Sequence, residues 1–175
     1  LKHSKPNFSV KAIGSFKQKP GCPDYVHTSL DQNKISRLCL NECYNPTNER
    51  NKIDRIEVVK ITVTKDLDNL DKAIQDPWKV FTCNDRGSGC SFHFTDPDFL
   101  TDKNETVYYV RAIQEETLAV GGNPLRCELD EKGQCTKIVP CYASGPKFNA
   151  KDDCLAPIGE RAWSSPIFIS HENSS

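Results

Sequence analysis

The chain has 175 residues, with 23 basic and 24 acidic side chains and a net charge of -1. This balance removes the electrostatic case for binding nucleic acid or an anionic membrane, and no apolar run is long enough to span a bilayer. The length suits one domain, with a core large enough to stand without cross-links.

In chain order, Phe8-Ser9-Val10-Lys11-Ala12-Ile13 alternates apolar and polar residues, as a half-buried strand does. Leu30 to Cys39 has room for one helical turn. Ile53 to Thr64 is the strongest strand signal, a β-branched run whose adjacent Val58 and Val59 break strict alternation and imply burial on both faces or a bulge. Leu67, Leu70, Ala73 and Ile74 fall at helical spacing up to Gln75, and Asp76-Pro77 stops that helix. Trp78 to Phe81 and Ser91 to Phe94 flank Cys83 and Cys90, and the turn chemistry of Asn84 to Gly89 predicts a hairpin between them. Thr106 to Ile113 and Ser165 to Ser170 are further strands. Between Glu116 and Arg161 the chain is long and has little periodicity, which marks a functional or stapled excursion. The pattern predicts an all-β fold: a disulfide-stapled antiparallel β-sandwich with long irregular loops and at most one or two short helices. It is read as a single domain over residues 1–175.

The nine cysteines carry the most information about environment. Eight fall in close pairs, Cys39/Cys43, Cys83/Cys90, Cys127/Cys135 and Cys141/Cys154, and Cys22 stands apart. No C-x-x-C occurs, so the spacing favours disulfides over zinc and points to an oxidising compartment. Local pairing gives Cys83–Cys90, Cys127–Cys135 and Cys141–Cys154. The fourth bridge comes from Cys22, Cys39 and Cys43 and leaves one of them over. Cys39-x-x-x-Cys43 as a redox pair is the weaker reading, because such pairs usually have two intervening residues. The start, Leu1-Lys2-His3-Ser4-Lys5-Pro6, has no apolar segment of a signal peptide, and Met is absent throughout, so a processed or excised piece is expected. Asn7, Asn104 and Asn173 begin glycosylation sequons that matter only in a eukaryotic secretory host.

Candidate chemistry is sparse. Asp152, Asp153 and Asn149 have hard oxygens for calcium but lack the spacing of a known loop, so a solvated acidic turn is the favoured reading. Arg111 and Arg161 are candidate contacts to a neighbouring domain or an anionic ligand, or partners of carboxylates such as Asp54, Glu57, Glu115 or Glu160. Trp78 and Trp163 suit a core or a sugar-stacking platform, and Trp163 is expected to be mostly buried, anchoring the excursion to the sheet. Ser164-Ser165 has no nucleophile elbow and no histidine placed to activate it. No catalytic residue and no metal ligand is assigned.

Glu42-Cys43-Tyr44-Asn45-Pro46 with Ile53-Asp54-Arg55-Ile56-Glu57-Val58-Val59, then Asp76-Pro77-Trp78-Lys79-Val80-Phe81, then Val107 to Glu115 with Glu160-Arg161-Ala162-Trp163-Ser164-Ser165-Pro166-Ile167, together resemble the C-terminal region of a family of exported bacterial proteins of uncharacterised function. The N-terminal part of that family resembles the PHP (polymerase and histidinol phosphatase) metal-dependent phosphoesterases. The resemblance runs from about Phe8 to the end. It implies a periplasmic or extracellular bacterial protein whose metal ions, and any phosphoesterase activity, belong to the N-terminal domain of the same polypeptide. His3, His27, His93 and His171 are scattered here, with no His-x-His pair, which agrees with a chain that carries no cofactor of its own. The function expected is that of a non-catalytic accessory domain that packs on, or shapes the cleft of, that domain. The alternative is an independent extracytoplasmic module that binds carbohydrate or a surface partner.

Overall fold

The computed structural model describes residues 5–39, 43–64, 70–83, 89–120, 126–142, 145–147, 149, 152 and 154–171. The first half contains β1 (Asn7–Ile13), β2 (Phe16–Gln18), α1 (Asp24–Ser29), α2 (Gln32–Cys39), β3 (Pro46–Arg50), β4 (Ile53–Thr62), α3 (Leu70–Ala73) and β5 (Ile74–Thr82). The second contains β6 (Gly89–Thr95), α4 (Phe99–Asp102), β7 (Thr106–Gln114), β8 (Thr117–Val120), β9 (Cys127–Leu129), β10 (Cys135–Ile138), β11 (Leu155–Ile158), β12 (Arg161–Trp163) and β13 (Ile167–Ile169).

Two layers make the sandwich. The larger sheet runs β12, β7, β4, β5, all antiparallel, with β13 paired to the other half of β7. The smaller sheet is β1 paired with β6. Aromatic rings join them: Phe8 of β1, stacked on its cross-strand partner Phe94, meets Tyr108 of β7 at 4.8 Å between centroids, and Phe81 of β5 stacks on Phe92 of β6 at 4.8 Å. Such pairs add about 0.5–1.5 kcal/mol each beyond the area they bury. Ile56, Val58 and Val59 of β4 are fully buried.

The adjacent valines mark a bulge. Val58 opposes Lys79 and Lys60 opposes Gln75, so Asp76, Pro77 and Trp78 of β5 lie opposite Val59 alone. The Asp76–Pro77 bond is cis. The extra residues turn Trp78 toward the inner face, where its half-buried ring lies 6.0 Å from that of Tyr108, and bring Asp76 to Arg111 on the other face.

Several expectations are corrected. There are four short helices among the described residues, not one or two. The predicted helix from Leu67 is a single turn at Leu70–Ala73, with Leu67 outside the described residues, and Ile74 and Gln75 already belong to β5. β5 and β6 are not a hairpin: β5 bonds to β4 and β6 to β1, so the chain arches from one layer to the other. Residues 84–88 of the predicted turn lie outside the described residues, while Cys83–Cys90 bridges the arch. The excursion after Glu116 contains two antiparallel ribbons, β8 with β11 and β9 with β10. β8 and β11 prolong the β7–β12 ladder around a bend at Gly159. There a Cβ would sit 3.0 Å from the Gln114 carbonyl oxygen and from Ile113 Cγ2.

The remaining bridges are Cys127–Cys135, Cys141–Cys154 and Cys22–Cys43. The last closes a second excursion, in which the β2–β3 ribbon carries α1 and α2. The Cys39 side chain lies outside the described residues. No helix among the described residues is long and apolar enough to cross a membrane.

Candidate functional site

The larger sheet has two faces of different character, set by the register of β4 and β7. Ile56, Val58 and Lys60 share the inner face with Tyr108, Val110 and Ala112, their partners on β7. Lys60 is the unexpected member. Its ammonium meets Asp96 Oδ2 at 2.7 Å and Asp102 Oδ2 at 3.4 Å, and the Tyr108 hydroxyl donates to Asp96 Oδ2 at 2.6 Å. The Asp98 amide donates to Asp96 Oδ1 at 3.0 Å. Burial works against the charged form of Asp96, but Lys60, Tyr108 and the Asp98 amide together hold its carboxyl below the ordinary range. Burial and the Asp96 charge push the Tyr108 hydroxyl well above its ordinary range. Every charge here is matched and hydrogen-bonded, which makes the cluster a structural clamp between layers. The signal was in the sequence: Lys60 keeps the phase of Ile56 and Val58.

On the outer face an ion-pair ladder crosses three strands. Arg111 of β7 meets Glu57 Oε2 at 2.7 Å and grips both oxygens of Asp76, with Nη1 to Oδ2 at 3.0 Å and a shorter bond from Nη2 to Oδ1. Arg55 continues the ladder to Glu57 Oε1 and Asp54 Oδ2, each at 2.8 Å. Partial burial opposes the charge on Glu57, yet Arg55 and Arg111 hold its carboxyl below its usual range. Arg111 thus takes carboxylate partners, one of them the bulge residue Asp76.

Trp163 is a correction. It sits opposite Arg111, on the outer face of the edge strand β12, and is 61% exposed. Phe168 of β13 is 75% exposed and Val80 of β5 is 51% exposed. Trp78, by contrast, is half-buried, its ring 6.1 Å from that of Phe94 and 6.0 Å from that of Tyr108. Pro166 stands just before β13 on this edge, where no ladder donor is required. Ser164 manages the break: its amide donates to the Val110 carbonyl at 3.0 Å, and its hydroxyl oxygen accepts from the Val110 amide at 3.1 Å. Ser164 therefore has a structural task.

Arg161 has no ion pair with any described residue and lies at the mouth of a cleft of about 480 Å³. The cleft separates β1 from β12, with Val110 and Ala112 of β7 as its floor. Its closed end is a polar junction. The Ser15 hydroxyl donates to Gln114 Oε1 at 3.0 Å and accepts from Asn51 Nδ2 at 3.0 Å, and Gln114 Nε2 donates to Glu160 at 3.2 Å. Gly14 belongs to this junction because a Cβ there would lie 1.8 Å from the Asn51 carbonyl oxygen.

Comparison with family models, curated proteins and solved structures finds no match. The chemistry is therefore read from this geometry alone. Among the described residues, no three His, Cys, Asp or Glu side chains are grouped to hold a metal ion. Asp152 is engaged by Arg126 in a two-pronged pair at 2.5 and 2.7 Å, and that guanidinium, with the Cys154 amide, lowers its carboxyl to about 2. Asp153 lies outside the described residues. The arrangement supplies surfaces for contact: an outer face that mixes apolar side chains with fixed charges, and a cleft between two strand edges.

Proposed function

We propose that this chain is a non-catalytic accessory domain, the C-terminal β-sandwich of a longer exported bacterial protein, and that it packs against a PHP-like phosphoesterase domain of the same polypeptide. The observation that carries this reading is the outer face of the larger sheet. Trp163, Phe168 and Val80 are exposed there around the ladder of Arg55, Glu57, Arg111 and Asp76. A sheet face meant for water is polar at alternate positions, whereas large apolar side chains beside fixed charges suit a surface that another domain covers. The resemblance of the strand and closing motifs supplies the partner. Four disulfides suit the periplasm or the extracellular space. In this reading the metal ions and the phosphoester chemistry lie wholly in the partner domain.

The test compares this chain with the longest reading frame that contains it, by amide hydrogen exchange and by cysteine cross-linking from position 168. Protection of β7, β12 and β13 in the longer protein, lost in a Trp163→Ser/Phe168→Ser double variant, is the expected result. An outer face that exchanges equally fast in both proteins overturns the reading.

The exposure of Trp163 favours a second reading, an independent module that stacks a sugar ring on this indole beside the Arg111 carboxylate pairs. Retention of the isolated chain on immobilised glycans, abolished by Trp163→Ala, is the result that would put this reading first.

A further inference from the structure

The cleft between β1 and β12 is bounded by two strand edges that have no partner. Among the described residues β1 pairs only with β6, and β12 only with β7. The smaller sheet therefore stops one strand short of the larger one, and the inner face at Val110, Ala112 and Ala162 is left uncovered on that side. Stacked sheets lie about 10 Å apart, a gap that small side chains do not fill. Ala12 of β1 and Ala112 and Ala162 of the larger sheet line the trough with small side chains, with Val10, Ile13, Ile53, Val110 and Trp163 around them, and among the described residues about 480 Å³ stays open. The mouth is positively charged. Lys11 and Arg161 are exposed and have no ion pair with any described residue, and Arg50 spends one donor on the Gly14 carbonyl at 2.8 Å while stacking on Phe16. The single carboxylate lining the cleft, Glu160, is already held by Gln114.

We infer that this cleft binds an extended acidic peptide segment, which adds as a strand beside β1, inserts alternate apolar side chains over Ala112 and Ala162, and turns carboxylates toward Lys11, Arg50 and Arg161. Each part of the occupant answers a feature of the site. Free backbone groups on a strand edge call for another strand. An alanine-lined trough calls for large apolar side chains at every second position. Three cations against one engaged carboxylate call for acid at the positions between, where complementarity sets partner choice more than raw affinity. Trp163 and Arg161 line this cleft and also border the outer face, whereas the edge of β1 with Lys11 belongs to the cleft alone and Phe168 and Val80 do not line it, so the two surfaces are tested apart through those residues.

The test uses the oxidised full chain and three capped synthetic peptides: alternating leucine and glutamate, alternating leucine and lysine, and the leucine–glutamate peptide with alternate backbone nitrogens methylated. Calorimetry measures affinity, and amide exchange locates the contact. The leucine–glutamate peptide is expected to bind and to protect β1, and protection confined to β12 contradicts the assigned edge. Affinity falls by about tenfold or more with the lysine peptide, with the peptide methylated along its bonding edge, and in Lys11→Glu/Arg161→Glu. Both substituted positions are exposed, so the fold is retained, as circular dichroism would verify. Phe168→Ser, on the outer face, leaves binding unchanged. Failure of the acidic peptide to bind, equal affinity for the lysine peptide, or indifference to methylation on either edge overturns the inference.

Discussion

β4 carries charges on both faces of one sheet, and the two networks differ in what surrounds them. Lys60 on the inner face is 4% exposed and its partner Asp96 is wholly buried, whereas on the outer face Arg111 and Glu57 keep 17% and 13% of their side-chain surface and Asp76 keeps 37%. The inner cluster is shut off from solvent except at Asp102, which is 42% exposed, so Lys60 and Asp96 depend chiefly on each other. The outer ladder has redundancy: Glu57 is shared by two arginines and Arg111 by two carboxylates. The charges that hold the layers together are thus enclosed, and those of the outer face stay at the edge of solvent and share partners.

Breaking the inner cluster gives the largest expected effect. Asp96→Ala leaves the Lys60 ammonium without its closest partner in the core and is expected to cost about 3–5 kcal/mol, read as a fall in the denaturant midpoint. Acid reaches the same contact without mutation. The Asp96 carboxyl titrates lower in the folded chain than in the unfolded one, so its stabilisation is full above the ordinary carboxylate range of about pH 4 and drains away as pH falls through the depressed folded value. Glu57 is shifted the same way and adds to the loss. Stability measured from neutral pH downwards should be flat and then decline, and a rise on acidification would refute the assignment. Tyr108→Phe removes one donor to a charged acceptor and is expected to cost about 1.5–3 kcal/mol, with the aromatic packing kept.

The outer face should give less. Arg111→Ala leaves Glu57 with Arg55, and water reaches Asp76, so a cost of about 1 kcal/mol is expected in a thermal or urea melt. If it matches the Asp96 variant instead, the contrast between the faces fails. Trp163→Ala should shift the midpoint by about 0.5 kcal/mol or less, as exposed positions do. A larger loss would return Trp163 to the core.

The sandwich was legible where side-chain period fixes a face. Phe8 to Ile13 alternates, and the valine pair in Ile53 to Thr64 implied burial on both faces or a bulge; the structure has both, with Val58 and Val59 fully buried and extra residues of β5 opposite Val59. Pairing partners were not legible. The turn-forming residues after Cys83 suit a hairpin and an arch equally, and the choice falls to β1 and β4, which capture β6 and β5 separately. Asp76-Pro77 read as a helix stop, because its use as a bulge that hands a carboxylate to Arg111 depends on a strand more than thirty residues later. Trp163 was misjudged because hydrophobicity alone does not tell an inner from an outer face on an edge strand. The cleft has no local sequence signal: Ala12, Ala112 and Ala162 are far apart in the chain and meet only through register.

All four bridges join cysteines close along the chain, 7, 8, 13 and 21 residues apart. None sets the register of β1, β4 and β7, which packing and hydrogen bonding hold by themselves. Oxidation can therefore proceed segment by segment, each bridge closing before its distant strand partners have met. A mispaired thiol then strands one loop while the central sheet assembles, and an oxidoreductase can repair it from the surface without opening the core.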